Sequence, residues 1–397
     1  MIHFRLLLAV SAVLPCAAAS YRFGAIWDGE KRVVNACINI VRDRIESVGP
    51  CGADATDMSR YTAIPGLIDM HTHMTYVPDN PVSQSGRAAA VVYLARENAL
   101  KTLQTGVTTV RDLGSQNYAD IAMRDLIAKG MMKGPRMFVA CYGLQSARGR
   151  PARPNFASGV DEVRRVVTEQ VEAGADWIKM YGSTGSGQDV SGDQTFTFEE
   201  MKTAVETAHG LGKRIAIHSY GPAGARDAVR AGADTLEHAT DIDAATMQRM
   251  VERKIWYVPT IDHNRFYVDN FKLLGFAPGA VAGLNNFIER NLATAKIALK
   301  AGVRFAMGSD AVRSMFGENT RELQWFVKAG MTPEEALKTA TVNAAEALGM
   351  GARLGALKAG WQADVVAVEG DPLADIDVVV HRVRWVMKDG EVVVDKR

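Results

Sequence analysis

The sequence predicts an α/β protein: a (β/α)8 barrel of the TIM type, with a small β-sandwich-like domain formed by both chain ends. Three observations lead there. Short β-rich runs alternate with helical stretches between residues 64 and 350. Hairpin-like segments lie at both ends of the chain. Histidine, lysine and aspartate recur where the runs end, the face on which such a barrel carries its chemistry.

The eight runs are Leu67–Met70, Val107–Leu113, Arg136–Cys141, Trp177–Tyr181, Arg214–His218, Thr235–His238, Trp256–Ile261 and Arg304–Ser309. Between them, stretches such as 85–105, 160–173, 197–210 and 283–300 carry helical periodicity and Ala/Glu/Lys-rich composition. Asp161 and Glu162 sit where a helix N-terminus favours acids. An open doubly wound sheet is the competing arrangement. Against it stand the count of eight and the lack of a G-x-G-x-x-G turn after the first run. The 397 residues, 47% of them hydrophobic and 23% charged, leave ample apolar material for one large core.

The small β domain is expected from residues 20–63 and 351–397, on either side of a 64–350 barrel. Ala36–Val41, a turn at Arg42-Asp43 and Arg44–Val48 read as a hairpin. Ala363–Val368, Val383–Met387 and Glu391–Val394 are strand-like, the last two separated by the turn signal Asp389-Gly390.

Residues 1–19 read as a secretory signal. His3 and Arg5 precede the apolar run Leu6–Leu14, too short to span a bilayer, and Ala17-Ala18-Ala19 supplies an A-x-A ending. Cleavage near Ala19 would export the protein to the periplasm or medium. A lipoprotein site at Cys16 is disfavoured by Pro15. Loss of Arg5 leaves 45 of the 46 basic side chains against 45 acidic ones. A neutral chain has no electrostatic footprint for nucleic acid or an anionic membrane, and no later segment approaches the roughly 18 apolar residues of a transmembrane helix. Cys37, Cys51 and Cys141 contain no C-x-x-C pair, so a thiolate metal site is not expected. Cys37 should face Val48, about three residues short of Cys51, so a disulfide there would need the chain to fold back at Gly49-Pro50; of the two readings, a pair of buried free thiols is favoured over the disulfide.

The chemistry lies at the strand ends. His71 and His73 follow the first run as His-x-His, and residues i and i+2 of an extended chain share a side. Lys179 lies near the end of the fourth run, His218 and His238 end the fifth and sixth, and Asp310 follows the eighth. Such side chains rarely occupy a barrel interior unless paired or metal-bound, because burying an isolated charge is expensive. His209 near a helix end reads as a C-terminal cation, and His381 as part of the tail sheet. Tyr220 shares the side of His218. It joins Tyr142 and His263, in loops after the third and seventh runs, as a candidate substrate contact.

These residues carry a resemblance. Pro65-Gly66-Leu67-Ile68-Asp69-Met70-His71-Thr72-His73 resembles the opening of the amidohydrolase superfamily. The stretch Gly106–Gly114, His218-Ser219-Tyr220-Gly221, Leu236-Glu237-His238, Gly308-Ser309-Asp310, and Ala363–Val366 with Gly370–Leu373 resemble its imidazolonepropionase-like and prolidase-like branch. That branch includes Xaa-Pro dipeptidases, metallo-carboxypeptidases and ochratoxinase-type amidases. The resemblance implies two divalent metals, His71 and His73 holding one with Asp310, and His218 and His238 the other. Lys179 would bridge them as N6-carboxylysine, since an ammonium has no lone pair to offer. Imidazoles and oxygen anions without thiolate suit zinc best, with manganese or cobalt as alternatives. A metal pair of this kind activates water as a nucleophile, and Asp310 would take its proton and pass it to the leaving amine.

The expected reaction is hydrolysis of a peptide or amide bond in a dipeptide or N-acyl amino acid, a small-molecule substrate, and the resemblance implies a homo-oligomer. The alternatives are a cyclic amide or amidine hydrolase or deaminase, and a non-enzymatic scaffold. The superfamily's deaminases place Glu three residues after the fifth-strand His, where this chain has Gly221. One departure concerns the loop after the third run, with Arg148, Arg150 and Arg153 where a Gly- and His-containing loop is usual. We expect these arginines to be solvated rather than to meet an anionic substrate.

Overall fold

The computed structural model describes residues 18–77, 87–148, 150 and 153–397. Positions 1–17 of the expected leader, 85–86 of the first expected helix, and Gly149, Pro151 and Ala152 of the arginine loop lie outside them. The strands are, in chain order, β1 (Ala18–Trp27), β2 (Arg32–Val41), β3 (Arg44–Gly49), β4 (Thr56–Pro65), β5 (Leu67–Thr72), β6 (Val107–Asp112), β7 (Arg136–Val139), β8 (Gln145–Ser146), β9 (Phe156–Ala157), β10 (Trp177–Tyr181), β11 (Arg214–Ser219), β12 (Thr235–His238), β13 (Trp256–Val258), β14 (Arg304–Phe305), β15 (Val365–Val368), β16 (Val383–Lys388) and β17 (Glu391–Asp395).

Both chain ends enter one seven-stranded sheet, in the order β17-β16-β15-β4-β1-β2-β3. Ala18 and Ala19, the last residues of the expected leader, pair with Val41 and Ile40. The β2–β3 hairpin turns at Arg42, whose φ of 58° fits a tight turn. Its register differs from the expected one. A bulge between Asn39 and Ile40 sets Cys37 opposite Gly49. Cys51 is then close enough to bond, and Cys37 and Cys51 form a disulfide with a Cα–Cα distance of 5.0 Å. This decides between the two readings against the favoured pair of free thiols: the count across the turn missed the residue that the bulge adds. Cys141 is free and buried, and burial pushes its thiol pKa up. His381 is corrected too, since it ends the short helix Asp377–His381 instead of lying in the sheet.

The remaining large strands are parallel. They form a three-stranded arc, β5-β6-β7, and a five-stranded arc, β10-β11-β12-β13-β14. Single parallel bridges, Leu144 with Met180 and Thr72 with Ala311, run between the arcs at either side. The seventh and eighth runs are shorter than expected. Ile261 starts the helix Ile261–Asp269, and beyond Phe305 the chain leaves the ladder, although Met70 N still donates to Met307 O at 2.8 Å.

Helices Ala88–Gln104, Val160–Glu172, Phe198–Gly210 and Pro278–Lys300 fall on the four expected stretches. Phe198–Gly210 is fixed at its start by a capping box between Thr197 and Glu200. Val163, Val166, Val167 and Gln170 form the buried stripe of Val160–Glu172, at the spacing an amphipathic helix requires. Among the described residues no helix is long and apolar enough to cross a membrane.

Candidate active site

β5 ends on His71 and Thr72, and His73 follows as the strand releases. Gly308 lets the chain after β14 come against this end, because a Cβ there would lie 2.9 Å from His71 Cβ and 2.5 Å from Val258 Cγ1. Asp310 N donates to His71 O at 2.7 Å and so fixes the aspartate beside the histidine. Asp310, His238 and Thr260 have φ values of 51°, 70° and 48°, a region that non-glycine residues rarely occupy. Strain of this kind gathers at functional sites.

The six candidate metal positions are brought together. Single ligand atoms of His71, His238 and Asp310 all lie within 4.8 Å of one another. Asp310 Oδ1 is 3.2 Å from His73 Nε2 and 3.5 Å from His71 Nε2. Lys179 Nζ approaches His71 Nε2 at 3.2 Å. The ring of His218 meets that of His238 edge-on at 4.5 Å. Burial, then the charge of Lys179, pushes His71 down to about 4, and burial holds His218 and His238 well below the ordinary imidazole value. Neutral imidazole is the form that ligates metal. Burial likewise draws Lys179 down to about 8. Burial alone would raise Asp310, yet His263, His71 and His73 around it hold it well below the usual carboxylate range.

Behind these side chains lies a buried network to which the sequence assigned no role. Glu237 Oε2 bonds His71 Nδ1 at 2.7 Å, and Glu237 Oε1 accepts from Arg111 Nη2 at 2.8 Å. Arg111 also donates to Met70 O at 2.6 Å and Thr235 Oγ1 at 2.9 Å, and its guanidinium lies over Trp177. Glu237 fixes the His71 tautomer, leaving Nε2 toward Lys179 and Asp310. His238 Nδ1 is matched by Thr260 Oγ1 at 2.6 Å. Asp69 accepts from Ser309 Oγ at 2.6 Å and Asn319 Nδ2 at 3.0 Å, and burial raises it to about 6. Arg111 sits inside the run Val107–Leu113 and Glu237 inside Thr235–His238, and both are fully buried. A charged residue on a buried strand was the available signal.

A cavity of about 700 Å³ opens over this floor, lined by His73, Lys179, His218, His238 and Asp310 among others. Gly143 forms one wall, where a Cβ would stand 2.4 Å from the Tyr181 ring. Tyr220 stacks between His218 at 5.0 Å and Phe287 at 4.4 Å and lines the cavity. Tyr142 lines it too, though its hydroxyl donates to Asn117 Oδ1 at 2.9 Å and accepts from Asn117 N at 2.7 Å. His263 turns its Nε2 to Asp310 Oδ2 at 3.3 Å, while its Nδ1 is buried without a hydrogen-bond partner. The arginine loop divides. Arg148 pairs with Glu200 at 3.3 Å, Arg150 bonds Gln145 at 3.0 Å, and Arg153 lines the cavity. His209, at its helix end, pairs with Asp234 at 2.9 Å.

The amidohydrolase family profile matches residues 62–393. An ochratoxinase of Aspergillus niger is 32% identical over 352 residues, covering 79% of this chain and 72% of that protein. The crystal structure of a Xaa-Pro dipeptidase with bound methionine in the active site is similar with a TM-score of 0.86 and 29% identity, over 95% of this chain and 99% of that one. A prolidase complexed with N-methylphosphonate-L-proline is similar with a TM-score of 0.87 and 26% identity, over 96% and 100%. With His73, Lys179, His218, His238 and Asp310 lining one cavity floor and His71 buried beneath it, and a match across most of its length, the chain belongs to the amidohydrolase family and is a hydrolase.

Proposed function

We propose that this chain is a metal-dependent hydrolase of the amide bond in dipeptides or N-acyl amino acids, acting within a closed (β/α)8 barrel. One observation carries the metal-centred reading. Lys179 is 1% exposed, lies 3.2 Å from the His71 imidazole, and forms no ion pair with a carboxylate among the described residues. An ammonium buried in this way is costly. Addition of carbon dioxide to its neutral amine, with loss of a proton, would give a carbamate, an anion that could serve as a ligand to divalent cations. The donors present are imidazole nitrogens and carboxylate oxygens without thiolate, and the His218 Nε2 is buried with no hydrogen-bond partner. That set fits zinc, with manganese or cobalt as alternatives.

When bound, the metals would supply an activated water and polarise the scissile carbonyl. His71 and His73 would hold one metal with Asp310, and His218 and His238 the other. Asp310, ionised and facing the cavity, accepts the proton of the attacking water and returns it to the leaving amine. Tyr220 offers a phenol to the substrate's free carboxylate. The dipeptidase and amidase relatives support this substrate class. A deaminase is disfavoured at position 221, where any Cβ would meet the Gly192 carbonyl oxygen at 2.4 Å. Export of the chain is supported by the Cys37–Cys51 disulfide, which persists in oxidising compartments.

The test is a screen of the zinc- or manganese-loaded enzyme against dipeptides and N-acyl amino acids, with elemental analysis alongside. We expect two metals per chain. A Lys179→Ala variant should lose activity and regain part of it with short carboxylic acids. Full activity with one metal or none would end the two-metal reading, and a screen in which only cyclic amides react would replace the substrate class.

A further inference from the structure

Of the three arginines that the sequence singled out, two are occupied. Arg148 reaches Glu200 and Arg150 reaches Gln145. Arg153 has no hydrogen-bond or ion-pair partner for its guanidinium among the described residues. Its guanidinium lies near the Phe156 ring, 5.7 Å from the centroid, and it lines the catalytic cavity.

The charge pattern of that cavity is uneven. Among the described residues lining it, the lysine and arginine side chains are Lys179 and Arg153, and the one carboxylate is Asp310. Lys179 and Asp310 belong to the floor, both buried. Arg153 is exposed, so it stands at the open side of the same cavity with no acid beside it.

Its position is held by the backbone. β8 and β9 pair on either side of the loop, and Gln145 N donates to Asn155 O at 2.9 Å. Asn155 Nδ2 donates to Gly143 O at 2.6 Å, and Phe156 N to Arg153 O at 3.1 Å. Gly143 in turn packs against Tyr181 and the stem of Lys179. The arginine is therefore tied to the wall that descends to the floor.

We propose that Arg153 is a specificity-determining residue. It reads a carboxylate that the substrate carries away from the scissile amide, so the preferred substrates are acidic N-acyl amino acids or dipeptides. The inference rests on the cavity being the substrate site of an amide hydrolase. A guanidinium takes a carboxylate through two parallel hydrogen bonds, a geometry that neither amide nor ammonium groups match. The carboxylate has two sources, an acidic side chain or the free C-terminus, and matched substrates separate them.

The experiment compares N-acetyl-Glu with N-acetyl-Gln, and each with its C-terminal amide, on the metal-loaded parent, Arg153→Met and Arg153→Glu. Calorimetric binding of the same compounds runs in parallel. We expect the parent to favour, at least tenfold in kcat/KM, the member of each matched pair that carries the recognised carboxylate, Glu over Gln for a side-chain source or free acid over amide for a C-terminal one. Arg153→Met should lose about ten- to a hundredfold on the compounds carrying the recognised carboxylate, mostly through KM, and stay within threefold on the others. Arg153→Glu should reverse the preference toward N-acetyl-Lys. Loss confined to side-chain acids, or to free C-termini, supports the proposal and names the source. Equal loss on every compound marks a loop-structural residue and overturns it, as does no loss at all. If the parent binds acidic compounds through Arg153 yet hydrolyses none, the proposed substrate class fails and the recognition role stands. Turnover that does not depend on Arg153 overturns the recognition role and leaves the proposed substrate class standing.

Discussion

Glu237→Gln tests the buried network directly. The parent carboxylate is 0% exposed and bonds His71 Nδ1 at 2.7 Å and Arg111 Nη2 at 2.8 Å. Burial alone would raise its pKa, but Arg111 first, then His71 and Lys179, bring it to about 2, so it is ionised at neutral pH. Glutamine keeps the shape and removes the charge. Its amide nitrogen must then face either the His71 Nδ1–H or the Arg111 guanidinium, a donor against a donor. Removing one partner of a buried pair costs about 3–5 kcal/mol because the other charge stays behind uncompensated. Losing the acceptor behind a ligating histidine costs roughly 10- to 100-fold in metal affinity. Denaturant unfolding of chelator-stripped and zinc-loaded protein reads both effects. The stripped variant should lose about 3–5 kcal/mol, and the loaded variant about 1.4–2.7 kcal/mol more at saturating free metal. Arg111→Met in the same chain should recover part of the first loss, because the stranded cation is gone. A stripped variant within about 1 kcal/mol of the parent, with unchanged zinc affinity, would refute the reasoning.

Asp310→Asn should lower kcat by roughly 10² to 10⁴ while much of the metal stays bound, because the amide retains an oxygen but accepts no proton; near-normal kcat removes Asp310 from the mechanism. Tyr220→Phe should lose about ten- to a hundredfold in kcat/KM on substrates with a free C-terminal carboxylate and little on their amides; an equal fall on both leaves the hydroxyl a packing role. Reduction, or Cys37→Ser, should cost about 3 kcal/mol in denaturant unfolding, from a cross-link with a sequence separation of 14; an unchanged midpoint would dismiss the loop-entropy account. The last concerns acid stability. Burial favours a raised pKa at Asp389, but Arg136 and Lys388 outweigh it and hold the group at about 2. A depressed carboxylate stabilises the fold above its unfolded value of 3.8 and loses that contribution as pH falls toward about 2. With Asp389 about one third exposed, roughly 1–2 kcal/mol is at stake. Arg136→Met should flatten the unfolding curve between pH 4 and 2, and an unaltered acid limb would show that the pair contributes nothing there.

What the sequence determined by itself is local. Alternation of period two places His71 and His73 on one side of a strand end, and apolar spacing at helical period marks Val160–Glu172 and its neighbours. Lys179, His218 and His238 were legible because each lies at or near the C-terminal end of a strand run, the face on which a barrel carries its chemistry. The tertiary structure decided whatever depends on distant chain meeting at one place. His71 and Glu237 are 166 residues apart and Ser309 and Asp69 240 apart, so no window of sequence shows that one holds the other. The Cys37–Cys51 bond turned on a single bulged residue, and β1 and β4 passed unread because a leader boundary and polar residues hide their pattern. Arg148, Arg150 and Arg153 are alike in sequence. Their roles separate only where Glu200 and Gln145 take up two of them and the chain turns the third toward the cavity. Side-chain type and period follow from neighbours in the chain, whereas partners are set by register and strand order, which bring together residues that the sequence keeps apart.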